Sequence, residues 1–273
     1  MSAAELTFII PFLIVGGALT GIFAGLFGFG GGTLLVPLLY EVTRHAGIPV
    51  EAQMQVAVGT SLAIIAPTAL VSYFGHKKKK VGDEALLRAW RVPVLCGVIA
   101  GALLAAYVPS LLLKILFALV CGLTGLRLLF DPKGRWKLGS DMPEGVALRG
   151  QGFGIGILSA LLGLGGGIFS TMLMTLYNRP IHQAVATSAG IGVIVAAPAA
   201  IGYMISGHQH TQDFPLWCVG YVSVMGLFFV APLSSFTVRY GVRLAHHFNK
   251  RNLELALVVY LLLIAGRFVI SLI

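Results

Sequence analysis

The feature that most constrains the fold of this chain is a triple-glycine motif that occurs twice within apolar sequence. The first copy reads GLFGFGGGTLLVP at 25–37, and the second reads ALLGLGGGIFSTM at 160–172. A second pair of motifs follows in the same order, AVGTS at 57–61 and AVATS at 184–188. Two motifs that recur in the same order indicate a duplicated chain. Each half is therefore expected to contain a glycine break at the matching place.

Composition places this duplicated chain in a membrane. Hydrophobic residues make up 57% of it, charged residues only 11%, and the mean hydropathy is +0.91. A soluble domain carries about 25% charged residues. Uncharged apolar runs occur at 55–74, 183–206 and 215–238. Each run reaches the roughly 18–20 residues of a spanning helix, so the sequence predicts an all-α polytopic membrane protein.

Five apolar segments are predicted in each half, in a first membrane repeat at 1–130 and a second at 150–273 that flank a cytoplasmic linker at 131–149. The segments lie near 6–27, 33–44, 53–74, 91–109, 111–130, 150–164, 168–178, 183–206, 215–235 and 253–272. The second segment of each half is short. Because a helix rises about 1.5 Å per residue, it covers only part of a roughly 30 Å hydrocarbon core. We expect a half-helix there, and whether it crosses the membrane or re-enters stays open.

The basic residues predict the orientation of the chain. Of its 19 Lys and Arg residues, 14 lie in the stretches 76–91, 131–149 and 235–251, and Arg127 and Arg179 border the same side of the membrane in this arrangement, which makes 16. The positive-inside rule makes these loops cytoplasmic and puts both termini in the periplasm. Each half then crosses an odd number of times, so the halves form an inverted-topology repeat. The basic residues on the opposite side are Arg44, Lys114 and Arg267.

This orientation accounts for the net charge of +9 without nucleic acid as a partner. The predicted partners are a small anion and the lipid bilayer, and the sequence leaves a homodimer open.

The glycine breaks predict a site for that anion. Successive glycines free the backbone to leave the helix, and N–H groups left unpaired at membrane depth cost several kcal/mol each unless a partner satisfies them. The short helix after each break points its N-terminal N–H groups and positive dipole end at the break, where an anion binds. The alternative is that the glycines only allow close helix packing. The predicted binding residues are Gly30, Gly31, Gly32 and Thr33 in the first half and Gly165, Gly166, Gly167 and Ser170 in the second.

The second motif pair contributes hydroxyl groups at matching positions. These are Thr60 and Ser61 in one half and Thr187 and Ser188 in the other. Neutral hydroxyls donate to the oxygens of an anion without trapping it by a full charge. The alternative is that they bond back to carbonyls of their own helix.

Three other groups of residues have predicted roles. His182, at a helix start, is a candidate for assisting anion passage, with an inert interfacial histidine as the alternative. Arg127 and Arg267 occupy corresponding positions near helix ends, where extension toward the interface is expected. The isolated cysteines Cys96, Cys121 and Cys218 show no metal-ligand spacing and are expected to be buried small hydrophobes. No metal or cofactor is predicted.

The glycine motifs together with AVGTS and AVATS resemble the sulfite exporter TauE/SafE family of membrane permeases. The resemblance covers about 10–270, and the motifs are specific for the family rather than for one substrate. It implies export or import of sulfite, sulfonates or related sulfur-containing anions across the bacterial inner membrane. In the second copy Ile168 replaces Thr33 and Ala186 replaces Gly59, so equal roles for the halves do not follow.

These observations predict a secondary transporter that moves a small oxyanion by alternating access. The alternatives are an anion channel with the same site and a membrane subunit of a sulfur-handling complex. An intramembrane enzyme is not expected, because the chain has no GxSxG, no HExxH and no paired intramembrane carboxylates.

Overall fold

The fold is almost entirely helical. The computed structural model describes residues 3–27, 31–78, 81–105, 107–130, 137–139, 141–208, 214, 217–244 and 250–270. In the first half these residues form α1 (Ala3–Phe27), α2 (Gly32–His45), α3 (Val50–Lys77), α4 (Glu84–Ala105) and α5 (Ser110–Phe130). In the second half they form α6 (Gly145–Leu162), α7 (Gly167–Leu176), α8 (Ile181–Ser206), strands β1 (Cys218–Val219) and β2 (Val222–Ser223), α9 (Val224–Leu244) and α10 (Lys250–Ile270).

Seven helices of the described chain, α1, α3, α4, α5, α6, α8 and α9, are long and apolar enough to cross a membrane. The chain is therefore a multi-pass membrane protein, as its composition predicted. The two short helices are also confirmed, because α2 has 14 residues and α7 has 10. At about 1.5 Å per residue, neither covers a hydrocarbon core of about 30 Å.

Helices α3 and α8 form the centre of the bundle. Their apolar windows are 78% and 67% buried, against 33–44% for the other five long helices. The outer helices present apolar side chains such as Val92, Leu103 and Leu123 outward, as a lipid-facing surface requires. The packing repeats between the halves: α1 packs on α9 as α6 packs on α4, and α3 contacts α9 as α8 contacts α4. Helices α5 and α10 pack on each other.

Glycines bring the outer helix pairs into backbone contact. A Cβ atom on Gly97 of α4 would overlap the carbonyl oxygen of Phe153 of α6. In the α1–α9 pair, a Cβ atom on Gly241 would overlap the carbonyl oxygen of Ile22. Small residues at such crossings let membrane helices gain dispersion energy that larger side chains would prevent.

The predicted helix at 215–235 is wrong in its first part. The chain there forms a hairpin, in which Cys218 pairs with Ser223 and Val219 with Val222. Gly220 in its turn has φ +57°, which lies outside the helical region, and a Cβ atom there would overlap the Met204 carbonyl oxygen. The length of the apolar run predicted a helix in this segment. The hairpin depends instead on the positive φ of Gly220, which the length of an apolar run does not reveal.

Three further expectations are corrected. Helix α4 begins at Glu84 rather than near 91, because Asp83 caps it: its carboxylate accepts a hydrogen bond from the backbone N–H of Leu86 (3.0 Å). Cys96 is exposed on this helix rather than buried, while Cys121 and Cys218 are buried as expected. Helix α6 begins at Gly145, before the start predicted near 150.

Candidate functional site

Both glycine motifs break the helical path, as predicted. Gly31, which precedes α2, has φ +75°, and Gly163, which ends α6, has φ +68°. Gly165 and Gly166, before α7, have φ values of +61° and +79°. An L-residue adopts this left-handed region at a cost of about 1–2 kcal/mol. Gly30 lies outside the described residues.

The two short helices begin without a side-chain cap among the residues that the structure describes. Gly31 and Gly166 stand at the cap positions, and glycine has no side chain that could accept from the first-turn N–H groups. The Gly31 carbonyl accepts from the N–H groups of Leu34 (3.0 Å) and Leu35 (2.9 Å). Gly32 and Thr33 at the start of α2, and Gly167 at the start of α7, are buried. The positive ends of two helix dipoles therefore lie inside the protein.

The two breaks are packed against each other. A Cβ atom on Gly32 of the first half would overlap the carbonyl oxygen of Gly163 in the second half. The hydroxyl of Ser61 donates a hydrogen bond to that same carbonyl oxygen (2.9 Å). Ser61 therefore links the halves by a hydrogen bond to the backbone of a break.

Thr60 and Thr187, the threonines of the second motif pair, accept equivalent hydrogen bonds from the opposite half. The Thr60 hydroxyl accepts from the backbone N–H of Ser223 (2.9 Å), and the Thr187 hydroxyl accepts from that of Asp83 (2.9 Å). Each donor directly precedes a helix, α9 or α4. The threonines therefore hold the beginnings of two outer helices against the central pair α3 and α8.

Three of the predicted hydroxyls donate back to their own helices or helix starts. Thr187 donates to the Gln183 carbonyl (2.8 Å) and Ser188 to that of Val185 (2.8 Å). Ser170 donates to the carbonyl of Gly166 (2.7 Å), at the second break itself. This is the alternative that the sequence left open, so in this conformation an anion would have to replace these bonds.

The arginines near the ends of α5 and α10 each reach the short helix of the other half. Arg127 donates to the Met172 carbonyl of α7 (3.3 Å), and Arg267 pairs with Glu41 of α2. The sequence predicts that these two arginines occupy corresponding positions. It predicts extension of their side chains toward the membrane interface, not contacts with the short helices. His182 is exposed in the first turn of α8.

The hairpin before α9 carries no charge of its own. Burial raises the pKa of the Cys218 thiol to about 12 and also raises the pKa of Tyr221. Both groups therefore stay neutral at physiological pH. In the part of the chain that the structure describes, no three His, Cys, Asp or Glu side chains are grouped as metal ligands would be.

A cavity of about 400 Å³ opens where α3 ends and α4 and α8 begin. Lys77, Asp83 and Thr187 contribute to its lining, so Thr187 is a predicted site residue that borders open space. A polytopic helical protein with paired glycine breaks in its interior and a cavity beside one of the repeated motifs has the form of a membrane transporter.

The chain belongs to the sulfite exporter TauE/SafE family. The sequence pattern of that family, described as Sulfite exporter TauE/SafE, matches residues 13–268. A relative from Methanocaldococcus jannaschii, called a probable membrane transporter protein, is 27% identical over 93% of this chain and 92% of its own. One from Haemophilus influenzae with the same description is 28% identical over 95% and 97%. One from Bacillus subtilis, the probable membrane transporter protein YunE, is 27% identical over 82% and 86%.

No solved structure matches the chain significantly. The family and its relatives make this protein a membrane transporter of the TauE/SafE type rather than an enzyme.

Proposed function

We propose that this protein is a secondary transporter that moves sulfite, an organosulfonate or a related small sulfur-containing oxyanion across the bacterial inner membrane by alternating access. The observation that carries the proposal is the contact between the two breaks, where Gly32 of one half lies against Gly163 of the other. The family description supports a sulfur oxyanion as substrate.

The substrate would bind between the starts of α2 and α7. The first-turn N–H groups at Gly32, Thr33 and Gly167 would donate to its oxygens, since neither helix has a side-chain cap within the described chain. Ser170 and Ser188 would exchange their helix back-bonds for bonds to the anion. Donors of partial charge bind an anion weakly enough to release it, which a carrier requires.

The repeated packing supports alternating access between inverted halves. The α1–α9 and α6–α4 pairs are equivalent, as are the bonds from Ser223 to Thr60 and from Asp83 to Thr187. A structure with two equivalent sets of contacts can open on either side by exchanging one set for the other. With both termini in the periplasm, the cavity beside Thr187 would face the cytoplasm. The close contact of the breaks favours a carrier over the channel alternative.

Flux into proteoliposomes tests the proposal. The purified protein should accumulate ³⁵S-labelled sulfite, thiosulfate or a sulfonate. Gly32→Ala should abolish flux, because its Cβ atom would occupy the space of the Gly163 carbonyl oxygen. Gly154→Ala is the matched control, because a Cβ atom there meets nothing within 4 Å.

Three results would count against the proposal. Normal flux through Gly32→Ala would move the site away from the breaks. Single-channel currents would favour the channel. Absence of flux with any sulfur oxyanion, in protein that remains monodisperse, would exclude sulfur oxyanions as the transported substrates.

A further inference from the structure

We propose a second oxyanion-binding site, formed by Lys114, Arg44 and Arg267 in a cavity of about 450 Å³. The cavity lies where α2 ends, α3 and α5 begin and α10 ends. It takes a ligand group with at least two anionic oxygens, such as a sulfur oxyanion or a lipid phosphate. The inference rests on the proposed function only for the choice of sulfur oxyanions as the first ligands to test.

The charges that converge in this cavity are the three that the sequence placed apart from the other basic residues. Arg44, Lys114 and Arg267 come from three different helices and line one space. Glu41 of α2 pairs with Arg44 (3.3 Å) and with Arg267. The cavity therefore holds three cations while Glu41 pairs with two of them, so the cluster keeps an excess of positive charge.

Lys114 is the group that most requires an anionic partner. The residue is only 7% exposed, and its ammonium lies 4.7 Å from the ring centroid of Tyr40. Within the described residues we find neither a hydrogen bond nor an ion pair for this ammonium. The ring faces compensate a buried cation only in part, and an ammonium withdrawn from water gains strongly from an opposite charge.

The geometry suits an oxyanion. Tyr40, which is buried and packs on Phe268 with ring centroids 5.5 Å apart, fixes the position of the Lys114 ammonium. Arg44 and Arg267 are about half exposed and offer planar guanidinium groups at the rim. An ammonium inside and guanidinium forks outside are the donors that bind sulfonate and phosphate groups.

Lys114 distinguishes this cluster from the other end of the molecule. The register that aligns Arg127 with Arg267 places Glu254 at the position that corresponds to Lys114. Because duplication did not produce the same charge at both positions, the lysine of the cluster does not follow from the repeat. A positive cavity at one end raises the local concentration of anions there and their rate of association.

Binding to the purified full chain tests the site. In phosphatidylcholine nanodiscs, calorimetry with sulfite, sulfate and thiosulfate should show an affinity that Lys114→Met lowers about ten- to a hundredfold, as expected when a bond between charged groups is lost. Lys114→Arg should restore most of it. Lys137→Met, which removes an exposed lysine elsewhere, should leave the affinity unchanged.

Glu41→Gln supplies an opposite and independent change. Removal of the competing carboxylate should tighten anion binding, whereas a merely structural role for the cluster predicts that this variant and Lys114→Met both lose stability and leave affinity unaltered. If Lys114→Met does not fold, Glu41→Gln and Arg267→Gln still decide the question, because they should shift the affinity in opposite directions.

A separate experiment with lipid distinguishes a lipid phosphate from a free oxyanion as the ligand. If the ligand is a lipid phosphate, native mass spectrometry should retain phosphatidylglycerol on the wild type and lose it from Lys114→Met. If it is a free oxyanion, phosphatidylglycerol should not compete. Wild-type affinity for both kinds of ligand in the charge variants would overturn the inference. Lys114-dependent binding without any flux would overturn the proposed transport function and leave this site standing.

Discussion

Two serines that bond to the backbone of the second break show how residues of the same type and burial have different effects. Ser61 and Ser170 are both fully buried. The hydroxyl of Ser61 bonds to Gly163 of the other half, whereas that of Ser170 bonds back to Gly166, one turn earlier in its own helix region. Only the first bond links distant parts of the chain.

Ser61→Ala is therefore expected to lower the free energy of unfolding by about 1–3 kcal/mol, because it leaves a buried carbonyl without its donor. Ser170→Ala should cost little stability, since the Gly166 carbonyl keeps the backbone N–H of Ser170 as a donor (3.1 Å). Denaturation in detergent compares the two variants. Equal losses would mean that the Ser61 bond contributes nothing beyond a helix back-bond.

Two glycines with nearly the same backbone conformation separate strain from packing. Gly31 has φ +75° and Gly47 has φ +73°. A Cβ atom on Gly31 would lie 2.5 Å from Cγ2 of Thr20, whereas one on Gly47 meets nothing within 4 Å. Gly47→Ala should cost about 1–2 kcal/mol of strain, and Gly31→Ala should add about 1–3 kcal/mol of overpacking. A difference of zero between their unfolding free energies would contradict this account of the first break.

At this scale the sequence predicted the breaks but not the partners of the hydroxyls. A run of glycines within apolar sequence carries its own signal. The bond from Ser61 to Gly163 joins residues 102 positions apart, and that from Ser223 to Thr60 joins residues 163 positions apart. Such pairs depend on how helices pack, which a local motif does not encode.

Among the elements, the outer helix pairs depend on close glycine contacts. A Cβ atom on Gly156 of α6 would overlap the Val94 carbonyl oxygen of α4, whereas Gly154 on the same helix has open space around its Cα atom. Gly156→Leu should therefore separate the helices and lower the melting temperature strongly, and Gly154→Leu should change it little. Thermal unfolding in one detergent checks both. A tolerant Gly156 would show that α4 and α6 do not need this contact.

Element boundaries were predictable where apolar length sufficed and not elsewhere. The long helices and the short α2 and α7 follow from run length and glycine breaks. The hairpin at Cys218–Ser223 does not follow from them, because the length of an apolar run carries no information about backbone conformation. Its N–H groups are satisfied by distant partners, as when Tyr221 donates to the Tyr203 carbonyl (3.1 Å). Because its backbone groups are hydrogen-bonded within the protein, this segment can be non-helical in a membrane protein.

For the whole molecule, the orientation in the membrane is predicted from the distribution of charge alone. In a variant without native cysteines, Glu51→Cys, in the first turn of α3, should react with an impermeant maleimide in intact cells. Lys78→Cys, after α3, should react only once the membrane is permeabilised. Both positions are exposed. Labelling of Lys78→Cys from outside would reverse the orientation and place the Lys114 cavity in the cytoplasm.

The hydrogen bond that joins Ser223 to Thr60 has a consequence for biosynthesis. Thr60 lies in α3, the most buried of the long helices, and its donor follows 163 positions later. At roughly 5–20 residues per second, a ribosome needs about 8–33 s to reach that donor. During this interval α3 is in the membrane without α8 and α9, two of the helices that bury it. Its mean hydropathy of 1.7 over the spanning window must hold it in lipid until the second half arrives, so mutations that make α3 more polar should reduce yield before they reduce transport.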